Sequence, residues 1–283
     1  MTAVQPSPVS DFQTIEVNPL SPTVGAEISG FRMDGDVSPE QVAELRRALV
    51  DWKVIFFRDQ DVEVHEHVAF GRLFGELEVH PFAESLDDHP EVLVIHNNEK
   101  TKGGQNDWHS DVTWRQQPSL GSILRAKIVP PVSGDTLFCD MNAAYMGLDA
   151  EIREQIDGLH AIHRFDRVFG RKLSDEKRAE ILEKYPPARH PVVRTHPESG
   201  LKSLYVNHSF VSHIDGMDNP EGHRLLRRLY SQAAIPENQV RFRWQVDSVA
   251  FWDNRAVQHY AAFDYHPHQR RVERVTIVGD RPA

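Results

Sequence analysis

Asn106-Asp-Trp-His109-Ser-Asp111-Val-Thr-Trp114 is the stretch from which the rest of the chain is best read. A His and an Asp two residues apart can aim an imidazole nitrogen and a carboxylate oxygen at one point, because residues i and i+2 of an extended segment share a face. A third donor, His259, lies far along the chain in Trp252-Asp-Asn-Arg-Ala-Val-Gln-His259-Tyr260. Two His and one carboxylate, with three positions left open, form the facial arrangement of a non-haem Fe(II) site. A His-x-Asp pair alone is weak evidence: the chain has 16 His, and His213-Ile-Asp215 is a second such pair. His109/Asp111 is favoured by its Trp-flanked, β-prone surroundings, whereas His213/Asp215 runs into the loop Gly-Met-Asp-Asn-Pro.

Outward from this stretch the chain reads as many short strands with a few helices. Phe12 to Phe31 alternates between Pro and Gly breaks and suggests short strands. Ser38-Pro39-Glu40-Gln41 is a capped helix start, followed by Val42, Leu45, Leu49 and Trp52 at helical spacing. Val54–Phe57 is a buried strand by composition, and a second helix spans His65 to Phe74. Strands are expected at 92–95, 122–128, 134–138, 192–193, 204–206, 240–244, 249–252 and 274–278. Helices are expected at 149–157, at 174–184 with Ser174 as cap, and from Pro220 to about Ala233. The class is α+β: a double-stranded β-helix (jelly roll) with peripheral helices. Residues 1–10, rich in Pro and Ser, are expected to be disordered, and 11–283 to form a single catalytic domain.

Composition narrows the function. The 283 residues carry 32 basic and 42 acidic side chains, a formal charge of −10, which argues against nucleic acid or an anionic membrane as partner. Any anion pocket must therefore gather its own arginines. One cysteine, Cys139, excludes an intrachain disulfide and a thiolate cluster. No apolar run approaches the ~20 residues of a membrane span, and the N-terminus lacks the pattern of a signal peptide. The expectation is a cytoplasmic protein, with homo-oligomerisation left open.

A second signal is the tail Tyr265-His-Pro-His-Gln-Arg270-Arg-Val-Glu-Arg274-Val-Thr-Ile-Val. As a strand it places Arg270, Val272, Arg274 and Thr276 on one face, the two arginines ~13 Å apart. Alone, this also fits a solvated charged face; beside a metal, the guanidiniums become anchors for carboxylate or sulfonate groups.

Trp108-His-Ser-Asp-Val-Thr, Gly134-Asp-Thr-Leu, His196-Pro-Glu-Ser-Gly, Leu204-Tyr-Val-Asn and Trp252-Asp-Asn-Arg…Gln258-His-Tyr occur in this order. Arg270 and Arg274 follow eleven and fifteen positions after His259. From about Glu16 to Asp280 the chain thus resembles the taurine dioxygenase family of Fe(II)/2-oxoglutarate-dependent oxygenases, which includes alkylsulfatases and phenoxyalkanoate dioxygenases. The resemblance implies that His109, Asp111 and His259 bind Fe(II), and that Arg270 with Thr136 holds the distal carboxylate of 2-oxoglutarate, with O2 as the other co-substrate. It implies a small anionic substrate whose head meets His80, Arg274 and the backbone of Val112, between aromatic walls Phe169 and Phe210. The amine end of a taurine site is not matched: Ala83, Val168 and Gln105 stand where the family has Tyr, Ser and Asn. An uncharged or bulkier tail therefore fits better than taurine; the alternative is that loop shifts bring Asn106 or Glu99 to the amine as a substitute partner.

The implied reaction hydroxylates the carbon next to a sulfonate or related anionic group. It yields sulfite and an aldehyde, with succinate and CO2 from 2-oxoglutarate. The alternatives are an alkylsulfatase or aryloxyalkanoate dioxygenase and, from another class, a non-catalytic cupin-like metal binder. A mere metal binder has no need of Arg270. Trp114 and Trp252 read as core aromatics, and His208 and His213 as structural or exposed.

Overall fold

The structure, a computed structural model, describes residues 9–81, 84–99, 107–170 and 173–283. An eight-stranded sheet runs in the order Glu16–Pro19, Ala26–Ser29, Val54–Phe57, Val249–Asp253, Ser119–Ile128, Arg270–Val278, His89–Asn97, Ser85–Leu86. A three-stranded sheet, Gln239–Phe242, Thr136–Asp140 and Val257–Ala261, packs against it.

The period-2 geometry of the strands divides the large sheet's residues between two cores. Ile55, Phe57, Val249, Phe251, Val275 and Ile277 point to the outer face, where Leu45, Leu49 and Phe70 of the helices Pro39–Trp52 and Val64–Arg72 cover them. Val54, Phe56, Leu124, Trp252 and Val272 point to the inner face and meet Phe138, Val240, Phe242 and Val257 of the small sheet. With both faces covered, Val54-Ile-Phe-Phe57 is uniformly buried, which is why it reads as an unbroken apolar run. Arg270, Arg274 and Thr276 share the inner face with Val272, so their polar ends are carried into the space between the sheets.

The helix Pro39–Trp52 opens as expected: Ser38 accepts from the Gln41 N–H, and the Gln41 side chain accepts in return from the Ser38 N–H. It ends at Lys53, whose left-handed φ of 65° turns the chain directly into strand Val54–Phe57. Ser174 caps Asp175–Lys184, and Asn219 caps Pro220–Tyr230. Beyond Tyr230 the chain tightens into a 3-10 turn, Ser231–Ala234.

Two expectations change. The strand expected at 204–206 lies at Lys202–Leu204, paired with Val193–Thr195. The Trp108–Trp114 run is not a strand: His109 makes a single bridge to His259, and turns begin at Asp111. Of the segment expected to be disordered, residues 1–8 lie outside the described residues, and Val9–Asp11 is a 3-10 turn. No helix among the described residues is long and apolar enough to cross a membrane.

Three core imidazoles are neutral. Burial pushes His67 and His190 down to about 4 and His163 well below its ordinary range. The unfolded chain, with histidines near ~6.5, binds more protons than the native state between the two values. The stabilisation is thus complete above pH ~6.5 and is lost as pH falls toward the folded pKa, by at most roughly 1.4 kcal/mol per pH unit for each group. Urea midpoints should fall steeply between pH 6.5 and about 4.5; a flat profile there contradicts the neutral buried state.

Candidate active site

The two sheets converge on three donors that are distant in sequence. His259 sits on Val257–Ala261 opposite Phe138. Its backbone N–H donates to the His109 carbonyl at 2.8 Å, and the His109 N–H donates back at 3.1 Å. This bridge brings the imidazole rings to 4.2 Å between centroids. Asp111 is held by Asn254, whose Oδ1 accepts from the Asp111 N–H at 2.6 Å and whose Nδ2 donates to the Asp111 carbonyl at 2.9 Å. Ser110 Oγ donates to the Val257 carbonyl at 2.8 Å. Anchored in this way, the turn delivers the Asp111 carboxylate to the two imidazoles, and one ligand atom from each residue lies within 4.8 Å of the others.

The donor set fits a divalent metal. His109 Nδ1–H donates to the Asp107 carbonyl at 2.8 Å, which fixes the tautomer that leaves Nε2 bare. Burial pushes His259 down to about 3, with the neighbouring His109 adding to the effect, so its ring is neutral and able to ligate. Burial alone would raise Asp111, but the charge of Arg274, aided by the two imidazoles, holds it far below the usual carboxylate range. Arg274 Nη1 donates to both Asp111 oxygens, at 2.9 Å each, and Ser122 Oγ donates to Oδ2 at 3.2 Å. Arg274 thus reaches the carboxylate of the candidate metal site itself, a contact that strand periodicity does not reveal.

Beside the triad lies a cavity of about 200 Å3, lined among others by His109, His259, Thr136, Trp252 and Arg270. Arg270 is 6% exposed, and no described carboxylate pairs with it. Burial lowers its pKa. Thr136 Oγ1 accepts from Trp244 Nε1–H at 3.0 Å, which leaves the hydroxyl proton for another acceptor. Trp252 is a core aromatic as expected, and its inward ring, 4.9 Å from that of His259, also forms part of the cavity wall. Trp114 is core, packed on Phe165 and Tyr185.

Three of the residues assigned to the substrate, His80, Phe169 and Phe210, form a wall that ends at His109. Ring centroids run from His80 to Phe169 at 5.9 Å, Phe169 to Phe210 at 6.4 Å and Phe210 to His109 at 6.5 Å. The Phe210 N–H donates to Asn207 Oδ1 at 2.9 Å, and Asn207 Nδ2 donates to Thr113 Oγ1 at 3.1 Å, so the wall is tied to the turn carrying Asp111. Within that turn Val112 has φ 45°, a left-handed conformation that a β-branched residue adopts only at a cost of about 1–3 kcal/mol. Surrounding bonds hold it, including those from His190 Nε2 to the carbonyls of Thr113 and Arg115 at 2.9 and 2.8 Å. Burial, followed by the charges of Arg274 and Arg115, brings His80 down to about 4, so it faces the wall as a neutral ring. Gln105, like Ala83 and Asn106, lies outside the described residues.

Sequence reasoning missed the Glu78–Arg115 ion pair, 2.8 Å apart and largely enclosed. It also missed the function of two family-like segments. His196 Nε2 donates to Asp253 Oδ2 at 3.0 Å, Arg255 Nη2 bridges Asp253 and Glu198 at 2.6 and 2.7 Å, and Arg46 joins Glu198 at 2.7 Å. The His196-Pro-Glu-Ser-Gly and Trp252-Asp-Asn-Arg segments thus brace each other. His213/Asp215 makes no such site: Asp215 pairs with Arg189 at the surface.

Residues 16–276 match the family described as taurine catabolism dioxygenase TauD, TfdA family. The chain is 35% identical over 278 residues to an alpha-ketoglutarate-dependent sulfate ester dioxygenase of Pseudomonas putida, covering 95% of this chain and 91% of the relative. It is 32% identical over 291 residues to an alpha-ketoglutarate-dependent 2,4-dichlorophenoxyacetate dioxygenase of Cupriavidus pinatubonensis, covering 94% and 99% of the two chains. The solved structure of a taurine dioxygenase from Burkholderia xenovorans superposes with a TM-score of 0.82 at 39% identity, covering 96% of this chain and 91% of that one. With the His-Asp-His site, these matches define a dioxygenase of the 2-oxoglutarate-dependent class, with Fe(II) as metal and 2-oxoglutarate and O2 as co-substrates. Within that class the chain belongs to the TauD, TfdA family.

Proposed function

We propose that this dioxygenase hydroxylates the carbon bearing a sulfate ester or sulfonate group on an organic substrate with an uncharged tail. The hydroxylated product then loses its anionic group: an α-hydroxy sulfate ester gives aldehyde and sulfate, and an α-hydroxy sulfonate gives aldehyde and sulfite. The oxidising equivalents come from O2 and 2-oxoglutarate, the latter leaving as succinate and CO2. Residues 11–283 act as one catalytic domain, and its two facing sheets are read as a double-stranded β-helix.

The observation that carries this reading is the wall His80–Phe169–Phe210 leading to Arg274 beside the metal carboxylate. His109, Asp111 and His259 would hold Fe(II), which activates O2 when bound. Arg270 and Thr136 would anchor the far carboxylate of 2-oxoglutarate. Arg274, His80 and the Val112 backbone would orient the substrate's anionic head, while the two Phe rings exclude water from its tail. Val168, where the family has a hydroxyl residue, offers an ammonium no partner, and desolvating an unpaired ammonium is costly. Each guanidinium on this side already faces a carboxylate, Arg274 with Asp111 and Arg115 with Glu78. With both guanidiniums paired, little positive charge is left to neutralise a doubly charged head, so alkyl sulfates should be turned over in preference to dianionic alkyl phosphates.

The test is a sulfite, sulfate, aldehyde and succinate assay across taurine, longer alkylsulfonates, alkyl sulfates, alkyl phosphates and phenoxyacetates. Release of phenol from phenoxyacetates without sulfate or sulfite from the others would move the assignment to the aryloxyalkanoate branch. A companion prediction concerns Arg274→Ala. It should raise the KM for the anionic substrate and weaken metal binding about 10- to 100-fold, because Arg274 orients a metal ligand. The 2-oxoglutarate KM at saturating metal should move far less. An equal rise in both KM values would mean that the roles of Arg270 and Arg274 are wrongly divided.

A further inference from the structure

We propose that Tyr265 is a third donor to the distal carboxylate of 2-oxoglutarate, beside Arg270 and Thr136, and that Asn97 positions it. The proposal rests on reading the cavity at Arg270 as the 2-oxoglutarate site.

Tyr265 and Asn97 both line that cavity. Asn97 Nδ2–H donates to the Tyr265 hydroxyl at 2.8 Å, as Trp244 Nε1–H donates to the Thr136 hydroxyl at 3.0 Å. A hydroxyl whose lone pair is taken by a fixed N–H must send its own proton to another acceptor. Among the described residues no protein acceptor receives either proton. Arg270, the charged group beside them, has donors only. Two hydroxyl protons and a guanidinium therefore lack an acceptor among the described residues in one cavity, an arrangement suited to the paired anionic oxygens of a carboxylate.

The placement of Tyr265 is built into the fold. A Cβ on Gly134 would lie 3.2 Å from Tyr265 Cδ1 and 3.5 Å from Arg270 Cδ, so both side chains pack side by side on that glycine, which has φ +75°. Asn97 is the cross-strand partner of Arg270, so one strand pair carries both the guanidinium and the amide that orients the phenol. Burial raises the Tyr265 pKa, which keeps the phenol protonated and able to donate at neutral pH. The consequence is selectivity for a ketoacid with a far carboxylate.

The experiment is calorimetric titration of Mn(II)-loaded protein with 2-oxoglutarate and with 2-oxopentanoate, which lacks the far carboxylate. Tyr265→Phe should weaken 2-oxoglutarate about tenfold or more, the loss expected for a hydrogen bond to a charged group. Mn(II) affinity and 2-oxopentanoate affinity should stay within about twofold. Asn97→Ala should shift 2-oxoglutarate affinity in the same direction and by less. Unchanged 2-oxoglutarate affinity in Tyr265→Phe, or an equal loss for both ketoacids, overturns the proposal. Arg270→Leu, run in parallel, separates the two levels. If it also leaves 2-oxoglutarate affinity intact, the cavity assignment has failed; if it alone abolishes binding, only the part given to Tyr265 has failed.

Discussion

Arg270→Leu is expected to abolish turnover supported by 2-oxoglutarate while leaving the fold and metal uptake intact. The guanidinium is buried without a carboxylate partner among the described residues, and its lowered pKa reflects that desolvation. An apolar side chain of similar volume removes this cost, so the Tm should stay level or rise. Binding should respond in the opposite direction. Removing one half of a desolvated, hydrogen-bonded charge pair costs about 2–5 kcal/mol, or a roughly 30- to several-thousandfold rise in the Kd for 2-oxoglutarate. Thermal melts and calorimetry on one sample decide the point. A Tm lowered by many degrees would make Arg270 a structural residue instead.

Asp111→Ala should produce the second large effect, and it should be twofold. The metal loses its carboxylate ligand, and Arg274 loses the group that both of its short contacts address. An uncompensated charge left at a buried position costs about 3–5 kcal/mol, so the metal-free variant should be markedly less stable than its parent. His259→Ala is the control: it removes a metal ligand but leaves the Asp111–Arg274 pair in place. It should therefore lose metal with a smaller fall in the urea midpoint. If the two metal-free variants unfold at the same denaturant concentration, the pair does not contribute as its geometry implies.

The metal site is legible in the sequence through the family resemblance. Taken alone, the His109/Asp111 pair is weak evidence and the Arg270/Arg274 face also fits a solvated strand; the ordered motifs and the spacing of both arginines after His259 give them their roles. Strand periodicity likewise told which residues of Arg270–Val278 turn inward. What stayed hidden depends on contacts between residues far apart in sequence. Nothing local in Asn254 says that its amide brackets the backbone of Asp111, and nothing in Val112 says that it adopts a left-handed φ. Trp252 reads as core because it is core by burial, yet it also lines the cavity. The Glu78–Arg115 and Asn97–Tyr265 pairs exist only once the sheets have closed, so neither partner carries a signal by itself.

The most direct test of the central claim is a crystal structure of the protein grown anaerobically with Mn(II) and 2-oxoglutarate. One ion bonded to His109, Asp111 and His259 is expected, with the distal carboxylate of 2-oxoglutarate on Arg270 and Thr136. An ion bound elsewhere, or a 2-oxoglutarate whose far carboxylate lies on Arg274 with Arg270 vacant, would contradict it.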